Sequence, residues 1–211
     1  MKNIPIKTVY LLILLITLPL HSEIRYVSKT GSAQPPYTSW ATASDSIQKA
    51  INISSFGDTI YVANGVYKEQ IVMIPGLSLI GSGMDSCVID TRELVQPTDF
   101  AAVTISDTTL FKGFKIIVSD FWQGQYWGAG IMSGLTRKKL SIIEFNSIEQ
   151  AVYGIFFGLD TDSIFIRKNI VKKNDTGIQL RGTNRTSYFF VHDNYIEAIS
   201  LGTYVSFGGD P

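Results

Sequence analysis

The segment "SDFWQGQYWG", residues 119–128, places Phe121, Trp122, Tyr126 and Trp127 among two glycines and two glutamines. Aromatic rings stack on the apolar faces of sugars, and the Gln123 and Gln125 amides can hydrogen-bond hydroxyls. Trp122, Tyr126 and Trp127 are therefore candidate carbohydrate-binding residues. The plainer alternative is that these rings fold back and cover an apolar surface of their own chain. Asp160 and Asp162, with Asn184 at the matching place further on, offer oxygen ligands that suit Ca²⁺. Asp in such loops is equally the product of turn chemistry. Other chemistry is scarce. Cys87 is the only cysteine, so no intrachain disulfide forms, and its neighbours in "SCVID" predict a buried thiol. The sequence holds no Ser, His and Asp set of suitable spacing, no Asp-Asp pair and no glycine-rich phosphate loop.

The chain has 211 residues, with 18 Lys and Arg against 18 Asp and Glu. Lys2 and Lys7 flank the start of an apolar run from Val9 to Leu20 that is too short to cross a bilayer comfortably. With the polar exit at His21-Ser22 it reads as a secretory signal peptide, residues 1–22. An uncleaved anchor is the alternative. Cleavage leaves 16 basic against 18 acidic side chains, a net charge of −2, and His192 as the one histidine. With no basic excess to meet phosphates, a nucleic-acid partner is not expected. Nor is stable membrane insertion once the signal is removed. The expected location is secreted, at the cell surface or periplasmic. Charged residues make up only 17% of the chain and aromatics 12%, so residues 23–211 are not a disordered composition.

The elements that would position these groups recur. Gly130 in "GIMSG", Gly154 in "GIFFG" and Gly177 in "GIQLRG" follow one another at nearly equal steps. Asn146, Asn169 and Asn194 close "LSIIEFN", "SIFIRKN" and "YFFVHDN" at steps of almost the same length, and each is followed two positions on by Ile148, Val171 or Ile196. Such short copies leave no room for a crossover helix. Stacked in parallel they form a β-solenoid. Ile143, Ile166 and Val191 then point inward, and the asparagines form a ladder that satisfies backbone groups at a bend. Glu144 over Arg167, Lys168 over Asp193, and Glu149, Lys172 and Glu197 in file predict outward cross-coil pairs. Ile142, Phe165 and Phe190 predict an exposed apolar file. "LFKGF" puts Gly113 at the asparagine position. The step from Gly113 to Asn146 is distinctly longer than the later ones, which allots the aromatic segment to an insertion. Functional groups concentrate on such insertions.

"GDTIYVANGVYKEQI", residues 57–71, holds two β-prone runs around Asn64-Gly65, a tight-turn signal. Together with "YVSKTGS" from Tyr26, "SIQKAI" from Ser46 and "LSLIGSG" from Leu77, it resembles the N-terminal part of the pectin-lyase-like right-handed parallel β-helix superfamily. The resemblance runs over residues 23–211. It implies that Asn64-Gly65 is a bend within a coil, not a hairpin. It also implies that "SIQKAINIS", with Ile47, Ala50 and Ile51 on one face and Ser44 or Asp45 as N-cap, is a short α-helix closing the end of the solenoid. Pectate lyases of that superfamily use Ca²⁺ held by acidic residues with an Arg or Lys as base. The resemblance therefore offers Lys173 and Arg181 as catalytic candidates and Asp160 and Asp162 as metal ligands. The Gly-His-Gly and Arg-Ile-Lys signatures of the polygalacturonase type are missing.

The run "TYVSFGGDP" ends without an amphipathic cap, which predicts a β-helix domain incomplete at its C-terminus; a short tail after a complete domain is the alternative. Asn52-Ile53-Ser54, Asn174-Asp175-Thr176 and Asn184-Arg185-Thr186 match glycosylation acceptors. The expected function is recognition, with or without cleavage, of an extracellular polysaccharide or cell-surface glycan. A non-catalytic surface or adhesion module is the alternative.

Overall fold

The computed structural model of the chain describes residues 22–94, 100–118, 128–133, 138–158, 161–182 and 188–207. All of the expected signal peptide except Ser22 lies outside them. The described residues wind into a right-handed parallel β-helix with three walls. The first wall is a seven-stranded sheet. It stacks β1 (Ile24–Val27), β2 (Thr59–Val62), β5 (Ser78–Gly81), β8 (Leu110–Lys112), β11 (Lys138–Glu144), β14 (Thr161–Arg167) and β16 (Phe189–His192). The second holds β3 (Gly65–Tyr67), β6 (Cys87–Asp90), β9 (Lys115–Ile117) and β12 (Ser147–Glu149). The third holds β4 (Ile71–Val72), β7 (Ala101–Ile105), β10 (Ala129–Ser133) and β13 (Tyr153–Phe157). Two long strands, β15 (Ile170–Gly182) and β17 (Tyr195–Phe207), run through the corner and join the second wall to the third.

Every pairing is parallel, so the same inward file passes from coil to coil. Ile60, Leu79, Phe111, Ile143 and Ile166 are in register on the first wall, and all are fully buried. Ile89, Ile116, Ile148 and Val171 do the same on the second, and Val103, Ile131, Ile155 and Ile178 on the third. Asn64 lies between β2 and β3 and Gly65 opens β3; the two strands belong to different sheets, so the pair turns a corner as expected. Helix α1 (Ile47–Asn52) buries Ile47, Ala50 and Ile51 and contacts β1, β2 and β4 at the N-terminal end of the stack. Its N-cap is Ser46, not Ser44 or Asp45: Ser46 is extended and its Oγ accepts from Lys49 N. The Glu69 carboxylate from the first coil takes the Ile47 and Gln48 amides at 2.9 and 3.0 Å, groups that a helix start leaves unpaired.

The corner between the first and second walls is a column of left-handed residues. Gly113, Phe145, Lys168 and Asp193 have φ of +81°, +54°, +56° and +56°. Each non-glycine member costs about 1–2 kcal/mol in that conformation. The asparagine that follows repairs the bend. Asn169 Oδ1 accepts from Asn146 N at 3.0 Å, and its Nδ2 donates to Ile143 O and Arg167 O at 3.0 Å. The register places Phe114, not Gly113, opposite Asn146, with Gly113 opposite Phe145. Residue chemistry matches the glycine with asparagine; the backbone matches it with the left-handed position. Phe114 fills the ladder site with a ring stacked on Phe111 at 4.8 Å.

The corner between the second and third walls repeats the device. Gln150 and Lys173 have φ of +62° and +57°. Asn174 Oδ1 accepts from Ala151 N at 2.8 Å, and its Nδ2 donates to Ile148 O at 3.1 Å. Asn174 is 0% exposed, so its sequon is no glycosylation acceptor in the folded chain.

Candidate functional site

The third wall carries the most site-like surface among the described residues. Thr104, Met132, Phe156 and Gln179 stand in register on its outer side. Tyr153 and Phe156 rings lie 5.2 Å apart at 40°. The Arg181 guanidinium sits 5.6 Å from the Phe156 ring centroid, within cation–π range. With the Gln179 amide oxygen turned toward it, that guanidinium donates from Nη2 and Nε at 2.9 and 3.0 Å. Arg181 is thus held from two sides while staying exposed. A groove of about 260 Å³ runs past it, lined by Phe100, Gly128, Ala129, Met132, Tyr153 and Phe156.

Lys173 belongs to a different place. It projects from the second corner into a groove of about 390 Å³ with Arg92, Gln150, Asp175 and Ile199. Asp162 lies on the first wall, in register with Lys139. The structure therefore does not bring Asp162, Lys173 and Arg181 together. Asp160, Trp122, Tyr126 and Trp127 lie outside the described residues, although Gly128, the next residue after Trp127, lines the Arg181 groove. No group of three or more His, Cys, Asp or Glu able to hold a metal occurs among the described residues. Asp162 alone is no set of ligands for Ca²⁺, which takes six or more oxygens.

The expected outward pairs are partly realised. Glu144 accepts from Arg167 at 2.8 Å and meets Lys112 at 3.2 Å, and Glu149 meets Lys115 and Lys172 at 3.2 and 3.5 Å. Burial pushes both carboxyls up, but the hydrogen bonds and charges of these cations outweigh it and hold both below the usual carboxylate value. Lys168 instead lies over the Phe145 ring at 5.2 Å, and Asp193 meets His192 at 3.0 Å. Cys87 is a buried core thiol, as expected, and burial pushes it up to about 11, so it is no nucleophile at neutral pH.

The sequence reading missed Met132, Tyr153, Phe156 and Gln179. Their signal lay in the repeat itself, because Met132, Phe156 and Gln179 each follow a marker glycine by two positions. Three different residue types at one position hide a column that only the outward direction unites.

No family model matches the sequence, and no curated protein matches it significantly. Among solved structures the chain is similar to pectin methylesterase PemA from Erwinia chrysanthemi, at 15% identity and a TM-score of 0.47, covering 80% of this chain and 58% of that one. It is also similar to a pectin methylesterase variant in complex with a hexasaccharide, at 16% identity and a TM-score of 0.46, covering 80% and 54%. The likeness is one of fold. The chain spans little more than half the length of these proteins.

Proposed function

We propose that this chain is a secreted β-helix protein that recognises an extracellular polysaccharide along the outer side of its third wall. The observation that carries the reading is the Arg181 guanidinium, fixed between Gln179 and Phe156 at the side of an aromatic groove. Such a pairing fits a sugar ring that bears a carboxylate. The apolar face of the ring packs on Tyr153 and Phe156, and the carboxylate takes the guanidinium in a charge-assisted bond. Acidic polymers of the pectin kind have this chemistry. Trp122, Tyr126 and Trp127 extend the same reading, since they precede Gly128 in the chain. The same experiment tests for lyase cleavage, against the alternative of a surface or adhesion module.

The secreted chain is passed over immobilised polygalacturonate, pectin and a neutral glucan, with and without Ca²⁺, while ultraviolet absorbance of unsaturated products is followed. Retention on the acidic polymers is expected. Arg181→Ala should weaken it about 10- to 100-fold, the worth of a hydrogen bond to a charged group. Lys68→Ala, at an exposed ion pair away from the groove, should not. Undiminished retention of Arg181→Ala would remove the groove from the account. Unsaturated products would add cleavage and make Asp160, Asp162, Lys173 and Arg181 the residues to substitute next. Retention without unsaturated products would exclude lyase cleavage, and a reducing-end assay on the same samples would then separate a hydrolase from a binding module.

A further inference from the structure

The first wall has an outer side too, and its two halves differ. From β8 onward one outward file reads Lys112, Glu144, Arg167 and His192. In β1, β2 and β5 the outward positions are Ile24, Tyr26, Thr59, Tyr61, Ser78 and Ile80, and none is charged. Against this uncharged half stands Trp40. Its ring lies 4.5 Å from Tyr26, and Tyr26 stacks on Tyr61 at 6.1 Å. Trp40 is 50% exposed and Tyr61 37%. The loop that bears Trp40 is tied by hydrogen bonds of its own backbone. Ser32 N donates to Ala41 O at 2.9 Å, Gln34 N to Thr42 O at 3.1 Å, and Thr42 N to Ser39 Oγ at 3.2 Å. A large ring is thus held in water by backbone bonds, ordered before any ligand arrives.

We infer that Trp40, Tyr26 and Tyr61 form a second carbohydrate site, one for neutral, unbranched sugar chains, separate from the Arg181 groove. The uncharged positions offer an ionic ligand nothing, and Lys112, which follows Ile80 in the file, is paired with Glu144. The aromatics are the kinds with a polar handle, and Thr59 and Ser78 add hydroxyls in the neighbouring file. Successive coils are about 4.8 Å apart, so an apolar group beside a hydroxyl recurs along the axis, at Tyr61 with Thr59 and at Ile80 with Ser78. A periodic surface of that kind suits a periodic ligand better than it suits the irregular surface of a folded protein.

The test uses the full chain on insoluble cellulose and on a soluble mixed-linkage β-glucan, both neutral and unbranched, with polygalacturonate in parallel. Retention on at least one neutral polymer is expected. Trp40→Ala should weaken it at least tenfold while leaving retention on polygalacturonate unchanged. Tyr61→Ser should act in the same direction, and an unchanged circular dichroism spectrum for either variant shows that the fold survives. Failure of the Arg181 groove would appear on polygalacturonate alone, so the two readings fail separately. No retention of the unsubstituted chain on any neutral polymer would overturn this inference. Equal retention of both folded variants would overturn it as well. So would Trp40-dependent self-association, or Trp40-dependent binding to phosphatidylcholine vesicles, in the absence of neutral-polymer binding.

Discussion

Asn169 is buried and uses both ends of its amide. Its oxygen accepts from Asn146 N and Asn146 Nδ2, and its nitrogen donates to Ile143 O, Arg167 O and Asn194 Oδ1. Asn169→Ala takes the partner from the buried Asn146 backbone amide and one donor each from the Ile143 and Arg167 carbonyls. Each such group costs about 1–3 kcal/mol, so a loss of about 3 kcal/mol is expected in urea unfolding. Asn194 is less buried, and water can replace part of what it provides. Asn194→Ala should therefore cost clearly less. Equal losses for the two variants would mean that the ladder is not what stabilises the bend. This column was legible in the sequence because one side chain does the same task in each copy. The left-handed column beside it was not. Phe145, Lys168 and Asp193 share only a backbone conformation, which no residue type announces when asparagine supplies the compensation one position later.

The marker glycines and the aliphatic residues two positions after the marker asparagines are the two halves of one contact. A Cβ on Gly130 would lie 2.3 Å from Ile148 Cγ2, on Gly154 2.4 Å from Val171 Cγ1, and on Gly177 2.5 Å from Ile196 Cγ2. The glycine of the third wall is the hollow into which the aliphatic residue of the second wall projects. Gly154→Ala also meets the Gly177 carbonyl at 2.6 Å, which is backbone and cannot step aside. It should cost about 1–3 kcal/mol, the usual penalty of overpacking. Gly202 stands in the same column with nothing within 4 Å of an added Cβ. Gly202→Ala should change stability by less than about 0.5 kcal/mol. Matching urea midpoints for the two variants would show that glycine here is not a packing requirement. The earlier coils hid this regularity. Arg25, Ile60, Leu79, Phe111, Ile143, Ile166 and Val191 are successive register partners on the first wall. Their sequence steps change along the chain, equal from Leu79 through Phe111 to Ile143 but shorter from Ile143 onward, so no single period runs through all coils. The candidate groove was legible in part: Arg181 was reached through a family resemblance, whereas the Tyr153 and Phe156 floor needed the wall on which they stand.

In a solenoid each coil touches only its neighbours, so whole-chain stability depends on how successive coils are tied. Two ties span three coils each, Lys112–Glu144–Arg167 on the first wall and Lys115–Glu149–Lys172 on the second. The cations are 30–39% exposed, so screening keeps each pair below about 1 kcal/mol. Their pH dependence is nevertheless defined. Both glutamates are held below the ordinary value of 4.5 in the folded chain. A carboxyl depressed on folding contributes fully above its unfolded value and loses that contribution as pH falls through the folded one. The urea midpoint should therefore be flat with respect to these groups at neutral pH and fall once pH drops below about 4.5. Asp90, hydrogen-bonded by Arg92, is lowered too and adds to the same slope. Substituting Glu144→Gln and Glu149→Gln together should lower the midpoint at pH 7 and make the fall toward acid shallower. Salt should narrow the pH 7 difference, because the cations face water. If the double variant keeps the full acid slope of the parent chain, the ties between coils do not titrate as a stabilising unit. The acid sensitivity would then have to be sought at carboxyls such as Asp90 and Asp45, which Arg92 and Lys49 also hold low.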